Sequence, residues 1–344
     1  MRSHFPILDS CVYLNTAYTG PLSSPLMEWK AKDDISFLEL GDHYKTKLEK
    51  QYYGEARNAL ARFVNGAEET TFITANFSSA FQNFILQLPQ SFHFLVVEDE
   101  YPSLTGLIES HGFSSKEIPM TSEIERSIWD ELHRNKYSAL TLSAVQYTSG
   151  ILIDIDWLTK IKAAFPDLLI LVDGTQFIGA HFFDFASSPI DAIFGSSYKW
   201  LMAGYGTGFA VVKKEQLDQL QIPISQLEKA YDRGQLSVNA IGSLGFALKM
   251  LLDEDFSSLL DWKDKIAAYL KEGLLKRNLL SDNVVQRKNH SSIFNIQIDE
   301  KVYESLLANN IRCIWRGKGV RIAVHHYNTK EDIDQFFYFL DKIS

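Results

Sequence analysis

The sequence segment that decides the fold covers residues 168–212 and reads LLILVDGTQFIGAHFFDFASSPIDAIFGSSYKWLMAGYGTGFAVV. It opens with the uninterrupted apolar run 168–172, which predicts a buried parallel strand, and Asp173 is the first polar residue after that run. Further short strands are expected at 192–194 and 209–212. Open α/β sheets bind ligands at the carboxyl ends of such strands, so we expect a binding site near Asp173.

Lys199 follows the second strand of this segment, among small hydroxyl residues and large apolar ones. Burial of an amine there would favour its neutral form, because loss of water lowers the pKa of a lysine. The neighbouring hydroxyls could hold a phosphate, and Asp173 could keep a ring nitrogen protonated. Together these groups match the needs of a pyridoxal 5'-phosphate (PLP) site, in which a lysine forms a Schiff base with the cofactor. Taken singly, the aspartate is also typical of a helix cap and the lysine of a solvated surface.

The composition narrows the class of protein. The chain has 344 residues, enough for about two domains, and its 46% hydrophobic and 22% charged residues are typical of a soluble globular protein. A net charge of −9 without a long basic run argues against nucleic-acid binding. The start of the chain lacks the apolar core of a signal peptide, and no apolar run is long enough to cross a membrane. Two cysteines are too few for a disulfide framework, so we expect a cytoplasmic protein.

Helical and strand patterns alternate from residue 44 onward. In order, the pattern predicts a helix at 44–64, a strand at 71–74, a helix at 80–88, strands at 93–97 and 138–145, and a helix at 156–165. This alternation predicts an α/β fold with a mostly parallel, doubly wound sheet. Ser78 and Ser79 stand just before the second helix, where free backbone N–H groups can bind a phosphate, but a plain helix cap explains them equally well.

The pattern of predicted helices and strands changes after residue 212. It predicts helices at 237–253, 256–280 and 330–343, and a small antiparallel sheet from strands at 291–298, 311–315 and 320–324. Thr329 and Asp332 have the spacing of a capping box for the last helix. We therefore expect a large α/β domain over residues 21–235 and a smaller α+β domain formed by residues 1–20 and 236–344.

The motifs of this chain resemble those of the class V aminotransferases. That family of PLP fold type I enzymes includes cysteine desulfurases, kynureninase-like enzymes and isopenicillin-epimerase-like proteins. The resemblance covers nearly the full chain, and its sharpest pieces are VDGTQ (172–176), SSYKW (196–200) and YNTKEDID (327–334). It implies PLP fold type I, PLP as the cofactor, an amino acid or a related small amine as the substrate, and a homodimer.

The resemblance also implies roles for individual residues. Lys199 would be the Schiff-base lysine and Asp173 the partner of the pyridinium nitrogen. The other implied cofactor contacts are Gln176 to the ring hydroxyl, Ser78, Ser196 and Tyr198 to the phosphate, and Tyr101 stacked on the pyridine face. Tyr198 and Tyr101 stand where the family often has histidine, and a phenol can donate a hydrogen bond or stack in its place.

Two further positions depart from the family pattern. Tyr147 stands where many members have an asparagine near the ring hydroxyl, and core packing is the alternative for both Tyr101 and Tyr147. Gly234-Gln235-Leu236 stands where the family has a Gly-Thr-Pro phosphate contact to the neighbouring subunit. The contact is therefore left open, although the homodimer is still favoured.

Arg321 is similar to the family arginine that binds the substrate α-carboxylate, and its planar guanidinium permits a bidentate grip. Arg316 is a candidate second basic contact, for which a solvated arginine at a strand end is the alternative. The segment 311–321 is too short for the lobe that carries the catalytic cysteine of desulfurases. Cys313 lies in an apolar strand pattern typical of packing, so persulfide chemistry is disfavoured.

The adjacent His325 and His326 do not predict a metal site, because neighbouring residues on a strand point to opposite faces. The sequence thus predicts a PLP-dependent transferase in which Lys199 is the general base at the substrate Cα. We expect transamination. A lyase, an epimerase or racemase of the same family, and a catalytically silent PLP-binding member remain alternatives. A nucleotide-binding oxidoreductase is disfavoured because no G-x-G-x-x-G joins a first strand to a helix.

Overall fold

The computed structural model describes residues 2–287 and 289–343. Within them, the first part of the chain forms a large sheet of seven strands with the order β2-β8-β7-β6-β5-β3-β4. The elements up to the end of this sheet are β1 (Val12–Tyr13), α1 (Ser24–Leu40), α2 (Asp42–Val64), β2 (Thr71–Thr74), α3 (Phe77–Ile85), β3 (His93–Val97), α4 (Pro102–Ser110), β4 (Ser114–Ile118), α5 (Ile124–Arg134), β5 (Ala139–Ser143), α6 (Ile155–Ala164), β6 (Leu169–Asp173), β7 (Ala192–Ser196) and β8 (Gly208–Val212).

The large sheet is mostly parallel, as the alternation of strand and helix patterns predicts. β4, β3, β5, β6 and β7 pair in parallel, whereas β8 runs antiparallel to both of its neighbours, β7 and β2. Ser143 at the end of β5 pairs with Asp173 at the end of β6. The carboxyl ends of the central strands therefore meet at one edge, which is where such sheets bind ligands.

Helices cover both faces of the large sheet, which is buried throughout its central strands. One face packs against apolar side chains of α2, α5 and α6, including Leu60, Ile128 and Ile161. The other face packs against α3 and α4, including Phe84 and Leu104. This three-layer arrangement confirms the predicted α/β fold class.

The elements after β8 divide between the large sheet and a further apolar core. α7 (Lys214–Gln219) and α8 (Ile224–Tyr231) pack on the α3 face of the large sheet, and α9 (Val238–Asp253) packs against α2 on the other face. The remaining elements form the further core and are α10 (Phe256–Lys276), α11 (Asp282–Val285), β9 (Ile293–Ile296), α12 (Glu300–Ala308), β10 (Ile311–Arg312), β11 (Ile314–Arg316), β12 (Gly319–Ala323) and α13 (Lys330–Ile343). β11, β12 and β9 form an antiparallel sheet, and α10, α12 and α13 bury Leu270, Leu306 and Phe336 beneath it.

The prediction of one strand over residues 311–315 is wrong. The chain changes partner at Cys313: β10 pairs in parallel with β1 near the N-terminus, whereas β11 pairs antiparallel with β12. One straight strand cannot hydrogen-bond into both sheets, so the run divides. The pairing of β1 with β10 joins the N-terminal segment to the C-terminal part.

The start of the last helix tests one smaller expectation. The capping box at the start of α13 is confirmed, because the backbone N–H of Thr329 donates to Asp332 Oδ2 and that of Asp332 donates to Thr329 Oγ1. In the part of the chain that the structure describes, every helix is too short or too polar to span a bilayer.

Candidate active site

Asp173 and Lys199 lie buried at the carboxyl edge of the large sheet, with 7% and 8% of their surface exposed. Asp173 ends β6, and its Oδ1 accepts a 2.7 Å hydrogen bond from the backbone N–H of Thr175. Burial raises the pKa of Asp173, while the Thr175 hydrogen bonds and the positive charge of Lys199 lower it. The carboxylate is thus held in place by its own loop and is close enough to the lysine for their charges to interact.

The Lys199 amine has no hydrogen bond or ion pair with any residue in 2–287 or 289–343. Its Nζ lies 5.8 Å from the ring centroid of Tyr101 and 5.7 Å from that of Tyr198. Burial, with a smaller contribution from the charge of Arg321, lowers the pKa of Lys199 to about 7, and Asp173 opposes this shift. A large neutral fraction at neutral pH is what an amine needs to attack an aldehyde.

The backbone around Lys199 is fixed by contacts from distant parts of the chain. The backbone N–H of Gly20 donates to Tyr198 O over 2.9 Å, and a side chain at Gly20 would clash with Lys199 O. Trp200 Nε1 donates to Gln176 Oε1 over 2.7 Å, and Gln176 Nε2 donates to Ala17 O over 2.9 Å. These bonds leave one N–H of the Gln176 amide for the predicted contact with the ring hydroxyl, which stays a prediction.

The predicted geometry of the two adjacent histidines is wrong. β12 ends at Ala323, so residues 325 and 326 are not strand residues. Their rings lie next to each other, with centroids 4.1 Å apart, and do not point in opposite directions. His325 Nε2 is 3.1 Å from Trp200 O, where it donates a hydrogen bond that supports the lysine loop. Among the described residues, no cluster of three or more His, Cys, Asp or Glu side chains could hold a metal ion.

The predicted phosphate contacts gather at the start of α3. The backbone N–H of Phe77, in the first turn, donates to Ser196 Oγ at the end of β7 over 3.0 Å. Ser78 is half-buried in the same turn. The N-cap of the helix is Asn76, whose Oδ1 accepts from the N–H of Ser79 over 2.9 Å, and Ser79 Oγ accepts from the N–H of Asn76 over 3.2 Å to complete a capping box. The Ser78 hydroxyl in the first turn of a helix, where the helix dipole favours an anion, fits a phosphate well.

The predicted aromatic residues line the space beside Lys199. The ring centroid of Tyr101 lies 5.6 Å from that of Tyr147, nearly perpendicular to it, and 6.3 Å from Phe77. The ring of Tyr198 lies 5.0 Å from that of Tyr205, and burial raises the pKa of Tyr198 to about 12. Tyr198 therefore keeps its proton and can donate a hydrogen bond at neutral pH.

Arg321 lies on β12, with 2% of its surface exposed. Its Nη1 donates to the backbone carbonyl of Tyr147 over 2.6 Å, whereas Nε and Nη2 have no hydrogen-bond partner in the described part of the chain. Burial and the neighbouring charge of Arg316 lower the pKa of Arg321 to about 10, so it stays charged. A buried cation with two unused donors is prepared to bind a carboxylate.

Thr175 and Glu100 also shape the site, although no sequence pattern predicted a role for either residue. Thr175 links two predicted residues, because its N–H bonds to Asp173 and its Oγ1 accepts from the N–H of Ser196 over 3.2 Å. Glu100 is buried next to Tyr101 and accepts from the N–H of Ser143 over 2.8 Å. Burial raises the pKa of Glu100 to about 7. The only signals for both were their positions inside the VDGTQ motif and directly before Tyr101.

Comparison with known proteins identifies the family. The model of the aminotransferase class-V family matches residues 40–336, which is most of the chain. The chain belongs to this family. The class V family is PLP-dependent, so the predicted enzyme class and cofactor are confirmed at the level of the family.

Individual class V relatives are distant in sequence. The chain is 22% identical to an uncharacterized aminotransferase, YcbU of Bacillus subtilis (strain 168), over 96% of this chain and 94% of that protein. Its fold is similar to that of a C-DES mutant with glycine covalently linked to the PLP cofactor, with a TM-score of 0.88, 16% identity and 99% of both chains covered. It is also similar to the cysteine desulfurase CsdA from Escherichia coli, with a TM-score of 0.82, 19% identity and coverage of 99% and 96%. At these identities the structures establish the shared fold, not a shared reaction.

The lowered pKa of Lys199 predicts a pH-dependent uptake of cofactor. Only the neutral amine attacks the aldehyde, so the rate at which PLP-free protein acquires its visible absorbance should rise about tenfold from pH 6 to pH 8 and then level off. Stopped-flow absorbance with excess PLP measures this rate. A rise that continues in proportion to hydroxide up to pH 10 would mean that the amine keeps the pKa of an exposed lysine.

Proposed function

We propose that this protein transfers the amino group of a small amino acid to a 2-oxo acid, with Lys199 as the residue that bonds covalently to PLP. The main support for this proposal is a buried Lys199 that has no hydrogen bond or ion pair in the described part of the chain and whose charge interacts with those of Asp173 and Arg321, the latter with free donors at Nε and Nη2. The residues present fit the cofactor at each point, since Ser196 and the start of α3 would hold its phosphate and Asp173 its ring nitrogen. PLP, when bound, supplies an electron sink for the charge that develops at the substrate Cα.

The protein's own residues supply binding and proton transfer. Arg321 would hold the substrate carboxylate, and the carbonyl of Tyr147 fixes the plane of its guanidinium. Lys199, with a pKa near 7, can take a proton from the substrate Cα and deliver it to another carbon. Asp173 would pair with the protonated ring nitrogen, and the hydrogen bonds from Thr175 and the charge of Lys199 favour its ionised form against the effect of burial, which raises its pKa.

A second candidate reaction is elimination of a β-substituent, because a C-DES complex described as a cystine C–S lyase shares the fold with a TM-score of 0.87. Lys199, Asp173 and Arg321 would have the same roles in that reaction. Persulfide formation on a protein cysteine is less consistent with this chain. Burial raises the pKa of both Cys11 and Cys313, the latter to about 12, and Cys313 packs in the core of the smaller sheet.

Addition of single amino acids to the PLP-loaded protein tests the proposal. We expect a stoichiometric shift of the visible spectrum to the pyridoxamine form, with release of one equivalent of the matching 2-oxo acid and recovery of the first spectrum when a second 2-oxo acid is added. Steady production of pyruvate or sulfide without the pyridoxamine form would show that the protein catalyses a lyase reaction and not transamination. No response to any amino acid would identify a catalytically silent member. Formation of a homodimer and a cytoplasmic location belong to the same proposal.

A further inference from the structure

Arg316 and Arg321 lie on the same face of the smaller antiparallel sheet. In the register of β11 and β12, Ile314 pairs with Arg321 and Arg316 pairs with Gly319. Directly paired residues share a face, and so do residues two apart on one strand, so the two arginines are diagonal neighbours. Such neighbours are about 7–8 Å apart, a spacing that long side chains can bridge. Because Gly319 lacks a side chain, β12 places nothing over Arg316 on this face.

Both guanidinium groups reach the space beside Lys199. Tyr147 contacts both of them, because its carbonyl accepts from Arg321 Nη1 and its ring centroid lies 5.8 Å from Arg316 Cζ. The Tyr147 ring in turn lies 5.6 Å from that of Tyr101, which borders the lysine amine. The charges of Arg316 and Arg321 both lower the pKa of Lys199. Arg316 is therefore part of the electrostatic environment of the amine.

The two positive charges lack a counterion. Over residues 2–287 and 289–343, neither arginine forms an ion pair with a carboxylate, and the Nε of Arg316 and the Nε and Nη2 of Arg321 are buried without a partner. The charge of Arg316 also lowers the pKa of Arg321, as expected for cations that repel each other. One α-carboxylate bound to Arg321 would neutralise one charge and leave the other uncompensated.

We propose that the substrate is a dicarboxylic amino acid, with its α-carboxylate on Arg321 and its side-chain carboxylate on Arg316. This inference rests on the proposed function, since it names the substrate class of the same site. Each carboxylate would meet a planar guanidinium with unused donors, a pairing that is stronger and more selective than one between neutral groups. A substrate with a neutral side chain would leave Arg316 facing it unpaired.

Paired ligands of equal shape test this proposal. The PLP-loaded protein would be titrated with L-glutamate and L-glutamine, and with L-aspartate and L-asparagine, while the visible spectrum reports binding. We expect the dissociation constant of the acid to be lower than that of its amide by on the order of 10- to 100-fold. Equal constants for acid and amide in the unmodified protein would overturn the proposal without the need for any variant.

Variants then show which side chain makes the protein bind the acid more tightly than its amide. In Arg316→Gln, the acid-to-amide ratio of dissociation constants should fall to near one, whereas in Lys318→Gln it should keep its original value. Lys318 is an exposed residue two positions away, so its replacement makes the same change of charge outside the site. Circular dichroism and PLP content would verify folding. A ratio that survives in folded Arg316→Gln would overturn the role of Arg316.

The outcomes also separate this inference from the proposed function. If the acids bind selectively and depend on Arg316 but no pyridoxamine form appears, the dicarboxylate proposal stands and transamination fails. If L-alanine is converted as readily as L-aspartate and L-glutamate, transamination stands and the dicarboxylate proposal fails.

Discussion

Replacement of Lys199 by alanine is expected to reduce turnover by about a thousandfold or more, the largest effect of any single substitution in the site. Under the proposed function, the variant would lose both the amine that bonds to the cofactor and the base that takes a proton from the substrate Cα. Turnover with each responsive amino acid, and the visible absorbance of the purified protein, measure the two losses. The buried amine makes no hydrogen bond in the described part of the chain, so its removal should cost little folding stability.

Two controls make the loss at position 199 specific. Lys214→Ala removes an exposed lysine at the start of α7 and should leave both turnover and absorbance unchanged. Added small amines such as methylamine should restore part of the activity of Lys199→Ala, because they can enter the space that the side chain leaves and accept a proton. A Lys199→Ala variant with more than a tenth of the original turnover would remove Lys199 from the mechanism.

Replacement of Asp173 by asparagine is expected to lower turnover by on the order of 100- to 10,000-fold, while PLP remains bound. An amide cannot hold the ring nitrogen in its protonated form, so the cofactor would withdraw fewer electrons from the substrate. The asparagine carbonyl can still accept from the N–H of Thr175, which preserves the local fold. Single-turnover absorbance measurements with a saturating amino acid would give the rate of the chemical step directly.

A matched substitution tests whether any loss of an aspartate has this effect. Asp167 lies exposed just before β6, and Asp167→Asn should retain full activity. A cofactor analogue whose ring carries a permanent positive charge at the nitrogen should restore much of the rate of Asp173→Asn. Normal turnover by Asp173→Asn with ordinary PLP would show that the ring nitrogen has another partner.

Local sequence patterns predicted six of the seven strands of the large sheet, because these six are short runs rich in apolar residues, and the alternation with helices favours a mostly parallel sheet. The edge strand β4 was missed, because its sequence SSKEI is polar and mostly exposed. The division of the segment 311–315 into β10 and β11 could not be predicted in this way. It depends on the pairing of Ile311 with Val12, a partner about 300 positions away, and periodicity within one segment carries no information about distant partners.

The sequence predicted the residues that border the site better than the residues that support them. Lys199, Asp173, Ser196, Tyr101 and Arg321 converge on one region, because the motifs that contain them lie at strand ends that meet in space. The roles of His325 and Thr175 were missed, since each acts through a hydrogen bond to a loop whose path is set by tertiary packing. Asn76 was missed as the cap of α3 because serines next to it match the same capping pattern.

The most direct test of the account is the location of the covalent link between protein and cofactor. Borohydride reduction of the PLP-loaded protein would fix that link, and proteolysis followed by mass spectrometry would locate the lysine that carries the added mass. We expect one modified residue, Lys199, with near-complete labelling. Labelling of a different lysine, or no labelling of a protein that retains its activity, would contradict it.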